Sequence, residues 1–118
     1  NQPELMVEGM AAYAASRGIP LSPALLAFPA ARTKRPPWEE VEDFVRRSLA
    51  RECAVALLNL HNGRVKELDW WHWVTITALE DGRAEILDSG RRLTIDFHLW
   101  YETTRRRGGF VSALGERL

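Results

Sequence analysis

One histidine and one aspartate, His72 and Asp88, have the types and spacing that proton-transfer chemistry requires. A carboxylate that holds one imidazole nitrogen fixes the ring's tautomer. It leaves the other nitrogen to activate a thiol or hydroxyl. His72 is therefore a candidate general base and Asp88 its orienting partner. The plain structural alternative is a strand histidine bonded to a polar neighbour, with Asp88-Ser89-Gly90 as an ordinary turn. No nucleophile is evident beside the pair.

Both residues fall within 69–90, Asp-Trp-Trp-His-Trp-Val-Thr-Ile-Thr-Ala-Leu-Glu-Asp-Gly-Arg-Ala-Glu-Ile-Leu-Asp-Ser-Gly, which reads as two strands around a tight turn. Alternate strand residues share a face, so His72, Val74 and Ile76 lie together, as do Ala84, Ile86 and Asp88. Whether the two sets coincide depends on the turn. A two-residue loop at Asp81-Gly82 pairs Glu80 with Arg83 and sets Asp88 opposite Thr75, on the wrong face. A three-residue turn with Gly82 left-handed pairs Leu79 with Arg83 and sets Asp88 opposite Val74. The second is expected, and it makes His72 a diagonal neighbour of Asp88 at roughly 7 Å between backbones.

The flanking elements are read in chain order. Leu5, Met6, Gly9, Met10, Tyr13 and Arg17 recur at helical spacing over 4–17, and Gly18 and Pro20 stop that helix. Residues 18–37 carry five prolines and read as a connector, with at most a turn of helix over 24–28. A second helix begins at Pro37, with acidic residues in its first half, arginines near its end, and Val41, Phe44, Val45 and Leu49 as its buried stripe. Residues 53–60 suit either a helix extension or a buried strand. The strand is preferred because Asn62-Gly63 signals a hairpin. Strands over 68–79, 83–88 and 91–95 follow. Asp96 can cap a short helix reaching about Arg107, Gly108-Gly109 ends it, and 110–114 is a last strand. The expected class is α+β: a helical part over 1–52, then an antiparallel meander with a helical insert over 53–118.

Composition narrows the function. The 118 residues fit one domain or a large part of one, and 46% hydrophobic content suffices for a core. Sixteen basic and sixteen acidic residues cancel, so no overall field favours nucleic acid or anionic membranes. No apolar run is long enough for a membrane span. A single cysteine, Cys53, forms no internal disulfide. Asn1 rather than Met stands first, which suits a piece of a longer chain.

Three stretches together resemble a family. Glu52-Cys-Ala-Val-Ala-Leu-Leu-Asn-Leu, His72-Trp-Val-Thr-Ile-Thr-Ala-Leu and Ala84-Glu-Ile-Leu-Asp-Ser-Gly look like the C-terminal half of papain-like cysteine peptidases of the bacterial C39-like group. There, one strand opens with the catalytic histidine and the next ends in the aspartate that orients it. A short helix follows, similar to Ile95-Asp-Phe-His-Leu-Trp-Tyr, and the helix before Gly18-Ile19-Pro20 resembles the family's second helix. The resemblance implies a papain-like half-domain with His72 as base and Asp88 as orienter. It also implies a nucleophilic cysteine on an earlier helix, upstream of Asn1 or on a partner chain. Ser89 stands where the family often has proline.

Other candidates point elsewhere. Cys53 lies in apolar company and reads as a small core residue, and the resemblance places it on the strand beside the histidine strand. His61, His72 and His98 with Asp88 and Asp96 lack the spacing of zinc motifs, so no metal or cofactor is expected. Arg105-Arg106-Arg107 reads as a basic helix end. Trp70, Trp71 and Trp73 flank His72 as packing groups, or Trp70 and Trp71 wall a substrate cleft. The expected partners are a peptide or amide substrate and the nucleophile-bearing segment or chain. Association or homo-oligomerisation is also expected, from apolar surface that a half-domain leaves open. The competing function is a non-catalytic peptide-binding module on the same scaffold.

Overall fold

The computed structural model describes residues 2–19, 23–68 and 71–113. Among them, three α-helices accompany one six-stranded antiparallel sheet, so the class is α+β. The strands are β1 (Ala24–Phe28), β2 (Val55–Asn59), β3 (His72–Glu80), β4 (Arg83–Asp88), β5 (Arg91–Asp96) and β6 (Gly108–Ser112). Their order in the sheet is β1-β6-β2-β3-β4-β5. Four consecutive strands make the expected meander, and β6 returns to lie between β2 and β1. None of the described helices is long and apolar enough to cross a membrane.

Helix α2 (Trp38–Ala50) and helix α3 (Phe97–Thr103) cover one face of the sheet. Val41 and Val45 of α2 are fully buried there, with Phe44 and Leu49 packed at the edge. Pro37 is the residue before the helix rather than its first turn, with an extended ψ of 158°. Phe97, Trp100 and Phe110 form an aromatic cluster with Phe28, with centroids about 6 Å apart in edge-on and stacked pairs. Helix α1 (Pro3–Ser16) is apolar nearly all round but buries only Pro3 and Ala14, leaving Leu5 and Tyr13 exposed.

The part N-terminal to residue 53 is not wholly helical. Ala24–Phe28 is an edge strand paired with β6, not a turn of helix. Its Leu-Leu-Ala run favours helix locally, and the pairing overrides that weak preference. The second correction concerns Gly108-Gly109, which open β6 rather than end α3. A Cβ on Gly108 would stand 2.5 Å from the Phe28 ring, and one on Gly109 would stand 2.9 Å from Pro3. Only glycines let β1 and α1 approach so closely. Helix α3 accordingly stops at Thr103, and its Asp96 cap accepts from the Leu99 N–H at 3.0 Å.

The third correction is the register beside the site. The Asp81-Gly82 turn has two residues, both with positive φ (51° and 77°), the primed geometry that Asp-Gly favours. Glu80 pairs with Arg83 and Leu79 with Ala84. By itself that register would put Asp88 on the far face. A β-bulge intervenes: Ala78 pairs with Glu85, but Ile76 pairs with Ile86, leaving Thr77 unmatched. On β3 the core-facing set therefore changes from Leu79 to Ile76, Val74 and His72, while β4 keeps Ala84, Ile86 and Asp88. Thr77 fills the irregularity by donating its hydroxyl to the Glu85 carboxylate at 2.8 Å. The bulge, not the turn, brings the two faces together.

Candidate functional site

His72 opens β3 and Asp88 closes β4. The chain leaves Asp88 through a second two-residue turn, Ser89-Gly90, with φ of 51° and 84°, which returns Arg91 opposite Asp88. Asp88 Oδ1 lies 2.6 Å from His72 Nε2. The carboxylate is fully buried, whereas the imidazole is about one-third exposed. Asp88 Oδ2 reaches the half-exposed Arg91 guanidinium at 3.5 Å, a long and solvent-screened contact. Burial alone would push the Asp88 carboxyl up. The hydrogen bond and charge of His72, the Ser89 hydrogen bond and Arg91 outweigh that and hold it below its ordinary 3.8.

The carboxylate thus stays charged and accepts the proton on Nε2, which assigns proton exchange to Nδ1. A base-and-orienter role would need a nucleophile beside Nδ1, and Cys53 is in the wrong place for one. Cys53 N–H bonds the Ser48 carbonyl at 3.0 Å, and Glu52 before it takes a left-handed φ of 60°, the motif that closes α2. Asn59, not Cys53, pairs with His72. Six residues of nearly extended chain separate the two, roughly 20 Å.

A polar cluster that sequence reasoning missed stands beside the pair. Asn59 faces His72 across the strands and is fully buried. Its amide donates to Asn62 Oδ1 at 2.9 Å, and its Oδ1 accepts from the Trp100 indole at 3.0 Å. The same indole N–H bonds the His61 carbonyl at 3.1 Å. His61 Nδ1 accepts from the Gly63 and Arg105 backbone N–H groups at 3.0 and 3.1 Å. Burial, then Arg105 and Arg106, lower the His61 pKa from 6.5, which suits a ring nitrogen that must stay unprotonated to accept twice. The one sequence signal was the run Asn59-Leu-His-Asn62 at the end of an apolar strand. The Asn62-Gly63 hairpin expectation concealed it. Gly63 is left-handed within the long β2–β3 connection rather than in a two-residue hairpin turn, and a Cβ there would strike Thr103.

Trp71 is half-exposed and has a left-handed φ of 67°. Its ring carries the Arg106 guanidinium 5.1 Å from the centroid. It lines an open groove of about 690 Å³ with Leu60, His61 and Arg105–Arg107. Trp70, the other expected cleft wall, lies outside the described residues. Trp73 is half-buried on the opposite face of β3. His98 lies away from the pair, stacked on Trp38 at 4.4 Å and 3.4 Å from Glu102. Tyr101, pushed up to about 12 mainly by burial, donates its hydroxyl to the Pro36 carbonyl and is structural. Among the described residues no cluster of three His, Cys, Asp or Glu side chains could hold a metal ion. Comparison with protein-family models, curated proteins and solved structures returns no match.

Proposed function

We propose that this chain supplies the base and orienter of a papain-like cysteine peptidase or related acyl transferase. His72 Nδ1 takes the proton of a thiol, and the thiolate attacks a peptide or amide carbonyl. Nδ1 then returns the proton to the leaving amine. Asp88 holds Nε2–H and stabilises the imidazolium while it exists. The reading is carried by one observation, the 2.6 Å contact between an imidazole about one-third exposed and a buried carboxylate at the ends of adjacent strands. It is supported by the resemblance of the three stretches around Cys53, His72 and Asp88. The thiol belongs to another segment or chain, since Cys53 closes α2 at the other end of the sheet.

The 118 residues alone are therefore predicted inactive. Combined with the thiol-bearing segment or chain, they hydrolyse a peptide amide in a thiol-dependent reaction. His72→Ala lowers that rate by about 10²–10⁴-fold, the usual contribution of a positioned base. Thiol-dependent hydrolysis by the 118 residues alone, or full activity of His72→Ala, sinks the reading. A non-catalytic peptide-binding module is the second reading, favoured by the exposed Trp71 and the groove beside it. In that case His72→Ala leaves the groove's affinity intact and no thiol-dependent turnover exists to lose.

A further inference from the structure

Arg105-Arg106-Arg107 does not end a helix. Helix α3 stops at Thr103, and the three arginines lie on the connection to β6, all exposed. Fixed contacts hold that connection. Arg105 N–H bonds His61 Nδ1 at 3.1 Å, and Arg35 donates to the Arg106 carbonyl at 3.3 Å. The Thr104 hydroxyl donates to the His61 carbonyl at 2.6 Å, and Arg32 donates to the Thr104 carbonyl at 3.0 Å. The loop backbone is thus built in, and the guanidiniums are presented from a rigid base.

These arginines, Trp71, Leu60 and His61 line the 690 Å³ groove, with no carboxylate among its described lining residues. No carboxylate of the described residues forms an ion pair with Arg105 or Arg106. Among the described residues, a chain whose charges cancel overall therefore sets Arg105 and Arg106 in one groove with no carboxylate paired to them. An exposed tryptophan already engaged with Arg106 forms its apolar wall. Guanidiniums favour carboxylates in forked geometry, and the exposed indole favours an apolar side chain against it.

We infer that this groove binds an acidic peptide segment, its carboxylates on Arg105 and Arg106 and an apolar side chain against Trp71. That such a peptide is also the substrate rests on the peptidase reading; its binding does not. Nucleic acid would use the same arginines and stack a base on Trp71, but a net charge of zero favours a peptide.

The test is fluorescence anisotropy on the 118-residue chain. The probes are a labelled peptide with glutamates around a central leucine, its glutamine counterpart, and a single-stranded DNA oligonucleotide. The glutamate peptide is expected to bind about ten-fold more tightly than the glutamine peptide, from two partly exposed pairs worth a few-fold each. Salt weakens that preference, and both Arg105→Glu with Arg106→Glu and Arg105→Gln with Arg106→Gln remove it. The glutamine pair decides the matter if charge reversal prevents folding. Equal binding of the two peptides overturns the inference. So does no binding, a preference that survives charge reversal, or an oligonucleotide bound more tightly than the acidic peptide. His72→Ala is expected to leave the preference unchanged. A groove that discriminates, in a chain that shows no thiol-dependent turnover even when combined with the thiol-bearing segment or chain, would fail the peptidase reading alone.

Discussion

Two histidines stand at the same end of the sheet and are built for opposite behaviour. His72 gives one ring nitrogen to a buried carboxylate, an acceptor that tolerates either charge state of the ring and stabilises the positive one. His61 gives its Nδ1 to two backbone N–H donors, which forbid protonation there, and Arg105 and Arg106 oppose positive charge nearby. The partner decides the role. A carboxylate makes a proton carrier, whereas two amides make a fixed acceptor that ties the Gly63 loop to the start of β6's connection.

Changing the partner rather than the histidine should have the greatest consequence. Under the proposed peptidase function, Asp88→Asn removes the charge that stabilises an imidazolium, so thiol-dependent turnover with the thiol-bearing segment present falls by about 10²–10⁴-fold while the fold survives. His61→Ala does the reverse. It removes the acceptor of one part-buried and one exposed backbone donor and costs about 1 kcal/mol in urea denaturation. An Asp88→Asn enzyme of normal activity, or a His61→Ala protein of normal stability, would erase the distinction.

A smaller effect separates the two by pH. The folded-state pKa of His61 is lowered below its ordinary 6.5. It therefore contributes stability that is present above about pH 6.5 and lost as pH falls through the lowered folded value. Asp88 is likewise lowered, below its ordinary 3.8. Its contribution is present above about pH 4 and disappears only as pH falls further, through its own folded value. Urea midpoints measured from about pH 7.5 down to about pH 3 should show two separate losses. His61→Gln abolishes the upper and Asp88→Asn the lower. A single merged loss insensitive to His61→Gln would contradict this account of the His61 loop.

Much of the site could be read from residue types, because His72 and Asp88 sit at strand ends marked by alternation and by the Asp-Gly and Ser-Gly turns. What the sequence could not display was the reason they meet. Thr77 looks like any outward strand residue, and nothing in its neighbours announces that it is left unpaired. The expectation therefore assigned the register shift to Gly82, reaching the right contact by the wrong device. The rest was hidden for related reasons. Ala24–Phe28 lacks strand residues of its own and exists by pairing with β6. The glycines at 108 and 109 record close approach by Phe28 and Pro3, which are distant in sequence. Asn59 and Trp100 meet across 41 positions, so their bond has no local signature.

The central claim is that Asp88 holds His72 by Nε2–H and assigns proton exchange to Nδ1. Nitrogen-detected NMR of the imidazole, in the protein and in Asp88→Ala, tests it directly. At a pH where the ring is neutral, His72 should be the Nε2–H tautomer, and that preference should be lost when the carboxylate is removed. An Nδ1–H tautomer in the unaltered protein, or a tautomer indifferent to Asp88→Ala, would contradict it.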